Sequence, residues 1–149
     1  MGYPVELSDS QIALLETNRD KIADLQAIVE KMPQVDYEPT HHFTEGTYAR
    51  ELLIKKGTVI IGKIHKHAHF NVILKGHCTV TSPYGRETIV APAFFESRPD
   101  TKRAIYAHED TIWMTIHPTE KTDPEEIVED IILSDYSDRL EKLIHKEDL

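Results

Sequence analysis

Between residues 40 and 118 the chain is interrupted every few residues by a glycine, a proline or a polar turn, leaving no stretch of helical length. What remains is a series of short β-type runs at 48–54, 58–64, 70–74, 78–81, 87–90, 93–96, 103–107 and 111–116. Gly57, Gly76, the Ser82-Pro83-Tyr84-Gly85 turn and Pro92 punctuate them. Many short strands at near-regular spacing specify an all-β unit that is either closed or built from two packed sheets. A parallel βαβ arrangement is disfavoured, because each crossover would need a helix-length connection.

Helical signals flank this zone. Ser8 with Gln11 forms a capping box, and Asp9 suits the positive end of a helix. Apolar residues follow at Ile12, Leu15, Ile22, Leu25, Val29 and Met32, with Leu14 and Ile28 widening the stripe and Asn18 interrupting it. Pro33 ends the element at about residue 32. Such a helix packs on the main domain, or pairs with a second copy through Leu15, Ile22 and Val29. Near the other end, Asp123 is an N-cap, Pro124 takes the first helical position, and Glu125 and Glu126 occupy the first turn. Ile127, Ile131, Leu140, Leu143 and Ile144 give an interrupted apolar face that Asp135 and Ser137 divide. The expected organisation is a helical arm over 1–39, a β-barrel over 40–118 and an acidic helical segment over 119–149.

Composition narrows the class. The 149 residues suit one domain, and 40% hydrophobic with 29% charged residues are globular values. No run of 18 apolar residues exists, so no membrane span is expected. The first residues carry neither a basic start nor an apolar core of the secretory kind. Cys78 is the lone cysteine and cannot form an internal disulfide, which points to the cytoplasm. The formal charge is −9, from 26 acidic and 17 basic residues. That balance opposes nucleic-acid binding, which depends on neutralising phosphates. The acid gathers after residue 120, while the middle is nearly balanced, leaving room for a basic pocket that holds a small anion.

Four of nine histidines, His65, His67, His69 and His77, fall in one short stretch. Neutral imidazole is the commonest protein ligand for transition metals. In a straight strand, His65 and His69 would lie about 13 Å apart, too far for one ion with bonds near 2 Å. A hairpin tip at Lys66-His67-Ala68 would instead bring His65 and His69 face to face, with Cβ atoms about 5 Å apart. Alternatively, His65 and His67 bind from one strand while His69 enters from the next. The competing reading is a solvated basic tip, since Lys63 and Lys66 interleave the histidines. Asn71 shares the parity of His69 and would point to the same side. In the run 111–118, Trp113, Thr115 and His117 share a face, so Trp113 would line a pocket and His117 close it. His108, beside Glu109 and Asp110, reads as a carboxylate-paired surface histidine, and His77, His41, His42 and His145 receive no role. Nucleophile-elbow, phosphate-loop, dinucleotide-binding and His-Glu-x-x-His patterns are absent. Cys78 adjoins His77 but faces the opposite way, which makes it a buried core thiol.

The His65-x-His67 pair, with His69 seven residues before Gly76, resembles the first motif of the cupin superfamily. Here the spacer after His67 is one residue, and His69 stands where that family has glutamate. Gly57 and Gly62 lie eight and three residues before His65, where the motif has its first glycine six before. The second motif is degenerate: Pro99-Asp100-Thr101-Lys102-Arg103 occupies its place, with a basic residue at the histidine position. His117 is then the first choice for a further ligand, and Lys102 and Arg103 would contact an anion. The stretches 91–96 and 116–120 look like small cupin-type proteins of tailed phages. The resemblance covers about 40–118 and implies a double-stranded β-helix, or jelly-roll, barrel with a metal in its mouth, commonly oligomeric.

Two functions follow. In the first, His65, His67, His69 and His117 hold a divalent transition metal (Fe, Mn, Ni or Zn), and Asn71, Arg103 and Trp113 shape a pocket for a small polar or anionic molecule. Glu96 and Tyr106 are acid–base candidates there. In the second, the chain is a non-catalytic ligand-binding or homo-oligomeric accessory protein of the phage type, with a structural metal or none.

Overall fold

A computed structural model describes residues 8–34, 38–62, 64–99 and 101–131. Helix α1 (Asp9–Val29) precedes nine strands: β1 (Thr40–Thr44), β2 (Thr47–Ile54), β3 (Val59–Ile61), β4 (His69–Lys75), β5 (His77–Ser82), β6 (Gly85–Val90), β7 (Ala93–Ser97), β8 (Ala104–Ala107) and β9 (Thr111–Pro118). Helix α2 (Pro124–Ile131) follows. The strands form a five-stranded sheet in the order β1-β2-β9-β4-β7 and a four-stranded sheet in the order β3-β8-β5-β6. All pairings are antiparallel. From β2 onward the chain crosses repeatedly between the sheets, the winding of a jelly roll. Eight of the strands overlap the runs read from the sequence. β1 escaped that reading because all five of its residues are exposed, so it has no apolar alternation to detect.

Inward-facing residues of both sheets make the core. Ile54, Ile73, Cys78, Val80, Ile89, Ile105, Ala107 and Trp113 are buried together, confirming Cys78 as a core thiol. Burial pushes that thiol above its ordinary pKa, with the Glu87 charge adding to the effect.

Tight turns set the registers. Ser82 pairs with Gly85 across the two-residue loop joining β5 and β6. Gly76 joins β4 to β5 with φ +106°, and a Cβ there would lie 2.5 Å from the Thr111 hydroxyl and 2.6 Å from the Asp110 carbonyl. Both the left-handed backbone and the contact demand glycine. Gly76→Ala should therefore cost about 2–3 kcal/mol in urea denaturation. A cost below half of that would show that the β4–β5 turn relaxes freely.

The helices are fastened by named contacts. Ser8 and Gln11 form the expected reciprocal cap on α1. Ile22 is 2% exposed, the Asn18 amide donates to the Pro83 carbonyl at 2.8 Å, and the Lys102 ammonium donates to Gln26. Ile22 is thus spent on packing within the chain, which corrects the expectation that it lies in a stripe between protomers. Leu15 carries no described side chain. In α2 the backbone N–H of Glu125 donates to the Asp123 carboxylate at 3.0 Å, and Ile127 packs on Tyr48. The expected apolar positions Leu140, Leu143 and Ile144 lie outside the described residues, as does His145. No helix among the described residues is long and apolar enough to cross a membrane.

Candidate metal centre

β4 and β9 are neighbours, with Phe70 opposite Ile116 and Asn71 opposite Thr115. One step further, His69 at the start of β4 and His117 near the end of β9 both turn inward, 8% and 5% exposed. His65 reaches the same place from the loop between β3 and β4. The bend at Lys66 and His67 folds the chain back, so that His65 Nδ1 stands 2.9 Å from His69 Nδ1. Ring centroids are 4.0 Å apart for His65–His69, 5.1 Å for His65–His117 and 4.9 Å for His69–His117. A straight strand could not make this arrangement, and the bend does. The same bend leaves His67 exposed at its tip, with only its carbonyl near the cluster, 3.5 Å from His69 Nδ1. Of the four histidines expected as ligands, three converge and His67 stands apart.

All three rings are held neutral. Burial lowers His65 to about 2, helped by His69, His117, Arg50 and Arg103. His117 falls to about 3 through burial, then His69 and Arg50. Burial lowers His69 to about 4, opposed by the His67 carbonyl and the Asn71 side chain and aided by Arg103. Two Nδ1 atoms at 2.9 Å require one N–H and one lone pair, so His65 and His69 share a single proton at that contact.

Neutral imidazoles are competent ligands. With metal–nitrogen bonds of about 2.0–2.1 Å, two ligand atoms lie about 2.9 Å apart at right angles and about 3.4 Å apart in a tetrahedron. The three ligand atoms lie within 4.8 Å of one another, and the 2.9 Å pair is already at such a separation. Modest ring rotations would close the rest. The three histidines fit a metal ion.

A cavity of about 130 Å³ opens beside the histidines. Leu52, Ile54, Ile60, Ile61, Ile105 and Trp113 give it apolar walls, while Arg50, Asn71, Thr101, Arg103 and Thr115 contribute polar groups. Asn71 and Trp113, expected to shape a pocket, do line it, but their polar atoms serve a network. Trp113 Nε1–H donates to Asn71 Oδ1 at 3.0 Å, and Asn71 Nδ2 donates to Ser97 Oγ at 2.6 Å. The Arg103 guanidinium also donates to Ser97 Oγ and lies 5.2 Å from the Phe95 ring centroid.

Several expected participants lie elsewhere. Lys102 is buried against α1 through Gln26, and Glu96 and Tyr106 are exposed and outside the cavity lining. His108 bonds the Thr79 hydroxyl at 2.6 Å and its ring lies tilted 4.6 Å from that of His77, where a carboxylate partner was expected. Sequence reasoning placed Thr115 on the face of Trp113 and His117, and missed Arg50, Thr101, Ser97 and Tyr48. Strand alternation in β2 carries a signal for two of them: Tyr48, Arg50, Leu52 and Ile54 share one face. Tyr48 is buried, stacks 6.1 Å from His117, and has its hydroxyl 2.6 Å from His41 Nδ1. Thr101 lies in a loop without strand period, and no sequence signal singles it out.

The strand winding and the inward histidine triad define a jelly-roll β-sandwich with a candidate metal centre. The chain is similar to solved cupin structures. KdgF from Halomonas sp. is 14% identical, with a TM-score of 0.49 over 61% of this chain and 91% of that one. A cupin superfamily protein from Desulfitobacterium hafniense is 10% identical, with a TM-score of 0.48 over 59% and 82%. An RmlC-like cupin from Shewanella frigidimarina is 15% identical, with a TM-score of 0.49 over 64% and 90%. At these values the likenesses fix neither activity nor ligand. No protein-family profile matches the chain, and no curated protein matches it significantly.

Proposed function

We propose that the chain is a metal-dependent enzyme acting on a small polar or anionic molecule, with His65, His69 and His117 holding Fe, Mn, Ni or Zn. The observation that carries this reading is the largely buried, uncharged histidine triad, two of whose members, His65 and His69, line a cavity with both polar and apolar walls. A divalent metal bound there would supply Lewis acidity and a water of lowered pKa. The chain's own part is to keep three imidazoles deprotonated and to present Arg50 and Arg103 to an incoming anion.

Metal content of the purified protein tests this. The wild type should bind one equivalent of metal, and His117→Ala should lower affinity about 100-fold or more while circular dichroism stays native. Wild-type affinity retained in His117→Ala would overturn the assignment. His67→Ala should leave affinity within about twofold.

A second reading, a homo-oligomeric module without catalysis, is favoured by the outer face of the five-stranded sheet. There Phe70 is 47% exposed, Leu74 50% and Phe94 64%, with the Phe70 and Phe94 rings 5.1 Å apart. They share this outer face with Leu53, Met114 and Ile116, and clustered exposed apolar residues of this kind mark association surfaces. A second copy meeting the same face would supply the polar rim needed to reach about 800 Å² per partner. Phe94→Lys should convert a wild-type dimer to monomer in sedimentation velocity. A monomeric wild type removes this reading.

A further inference from the structure

A histidine ring has no strong torsional preference of its own about the bond that joins it to Cβ, so its plane is set by whatever touches it. In a metal ligand that contact is ordinarily a hydrogen bond from the nitrogen that does not hold the ion. His117 is built differently. Among the described residues no protein group hydrogen-bonds its ring, and its aromatic neighbours are His65, His69 and Tyr48. Of these three, Tyr48 alone lies outside the triad.

Strand register puts Tyr48 there. It stands directly opposite His117 in the β2–β9 ladder, and both side chains turn inward, 4% and 5% exposed. Residues paired in this way hold their Cβ atoms about 5 Å apart. The two rings are 23° from parallel with centroids 6.1 Å apart, an offset stack. The Thr119 N–H donates to the Gly46 carbonyl at 3.1 Å, which continues the ladder past this pair and pins its register.

Tyr48 is itself held on several sides. On β1 its opposite residue is Phe43, whose ring stacks 5.1 Å away. Its hydroxyl stands 2.6 Å from His41 Nδ1, and Ile127 of α2, 1% exposed, packs against it. A ring fixed by so many contacts is a rigid backing for its neighbour.

We propose that Tyr48 is a positioning residue for the candidate metal centre, its ring holding the His117 imidazole in the plane that lets it converge with His65 and His69. The consequence for metal rests on the reading given above. The immobilised ring does not.

Cobalt(II) titration of the full chain tests this, because its visible absorption bands report ligand geometry. Tyr48→Leu should weaken cobalt(II) binding about tenfold and shift the bands. Tyr48→Phe keeps the stack and loses the tie to His41, so it should restore the wild-type bands, with affinity within about twofold. Ile127→Ala removes packing from the same cluster without touching the stacked pair. It should lower the thermal midpoint and leave the bands unmoved. A second readout uses metal-free protein. The nuclear magnetic resonances of the His117 ring protons, identified by their loss in His117→Ala, should hold their positions in Tyr48→Phe. They should move in Tyr48→Leu, where the ring current of residue 48 is gone. If the wild type binds no cobalt(II), the metal reading fails and this comparison still decides whether Tyr48 orients His117. Unmoved His117 resonances in Tyr48→Leu would overturn the proposal. So would wild-type bands and affinity in that variant, or bands shifted as far by Ile127→Ala.

Discussion

Trp113→Ala should lower the unfolding free energy by about 4 kcal/mol, more than any other single change considered for this chain. Two effects add. The indole is 5% exposed, packs edge-on against Phe95 at 5.5 Å, and belongs to the main core cluster, so its loss leaves a large void. Its Nε1–H also satisfies Asn71 Oδ1, which is 1% exposed with its residue and would be left without that donor. Trp113→Phe helps separate the effects, because it keeps an aromatic ring in the core and removes the N–H. That variant should cost about 1–2 kcal/mol, the price of an unsatisfied buried acceptor plus a small void. Urea titration measures both. If the two variants prove equally costly, the hydrogen bond outweighs the packing and the order argued here is reversed. The chain of contacts from Trp113 through Asn71 and Ser97 to Arg103 ties core stability to the cavity, so ligand binding should weaken in both variants.

Metal-free protein should lose stability steeply as pH falls from about 6.5 towards 4, on the order of a few kcal/mol. An unfolded histidine titrates at about 6.5. In the folded chain burial keeps His69 near 4, His117 near 3 and His65 near 2. Between these values the unfolded state binds more protons than the native one, so acidification favours unfolding. The stabilising effect is fully present above pH 6.5 and drains as pH drops through the folded values. Urea midpoints of chelator-treated protein at pH 7.5 and pH 5 give the slope. His65→Gln removes one of the three titrating groups and should flatten it by about a third. A midpoint that stays constant across this range would show that the triad takes up protons without opening. Bound metal should steepen the acid loss, because protons then also displace the ion.

Much of this architecture was written in local pattern. The Ser8–Gln11 cap, the Asp123-Pro124 start of α2 and the β5–β6 turn each depend on residues within a few positions of one another. Inward alternation put Trp113 and His117 on one face, and parity joined Asn71 to His69; the strands realise both. Local pattern failed where a side chain answers to distant partners. α1 offered a broad apolar stripe, yet among its described side chains Ile22 and Gln26 are buried, while Leu14 and Ile28 are each 60% exposed. Lys102 was expected to contact an anion and instead lies buried against Gln26.

The amino-acid order alone determined that this chain would be an all-β unit of short strands between helical segments, because strand period and turn chemistry act over a few residues. Only the tertiary structure decided that His65, His69 and His117 meet while His67 faces solvent, and that Arg50 and Thr101 join them at one cavity. The reason is that β4 and β9 pair across a long intervening chain, and a bend outside any strand swings His65 across to His69. Those placements follow from sheet order and register, which no local period encodes.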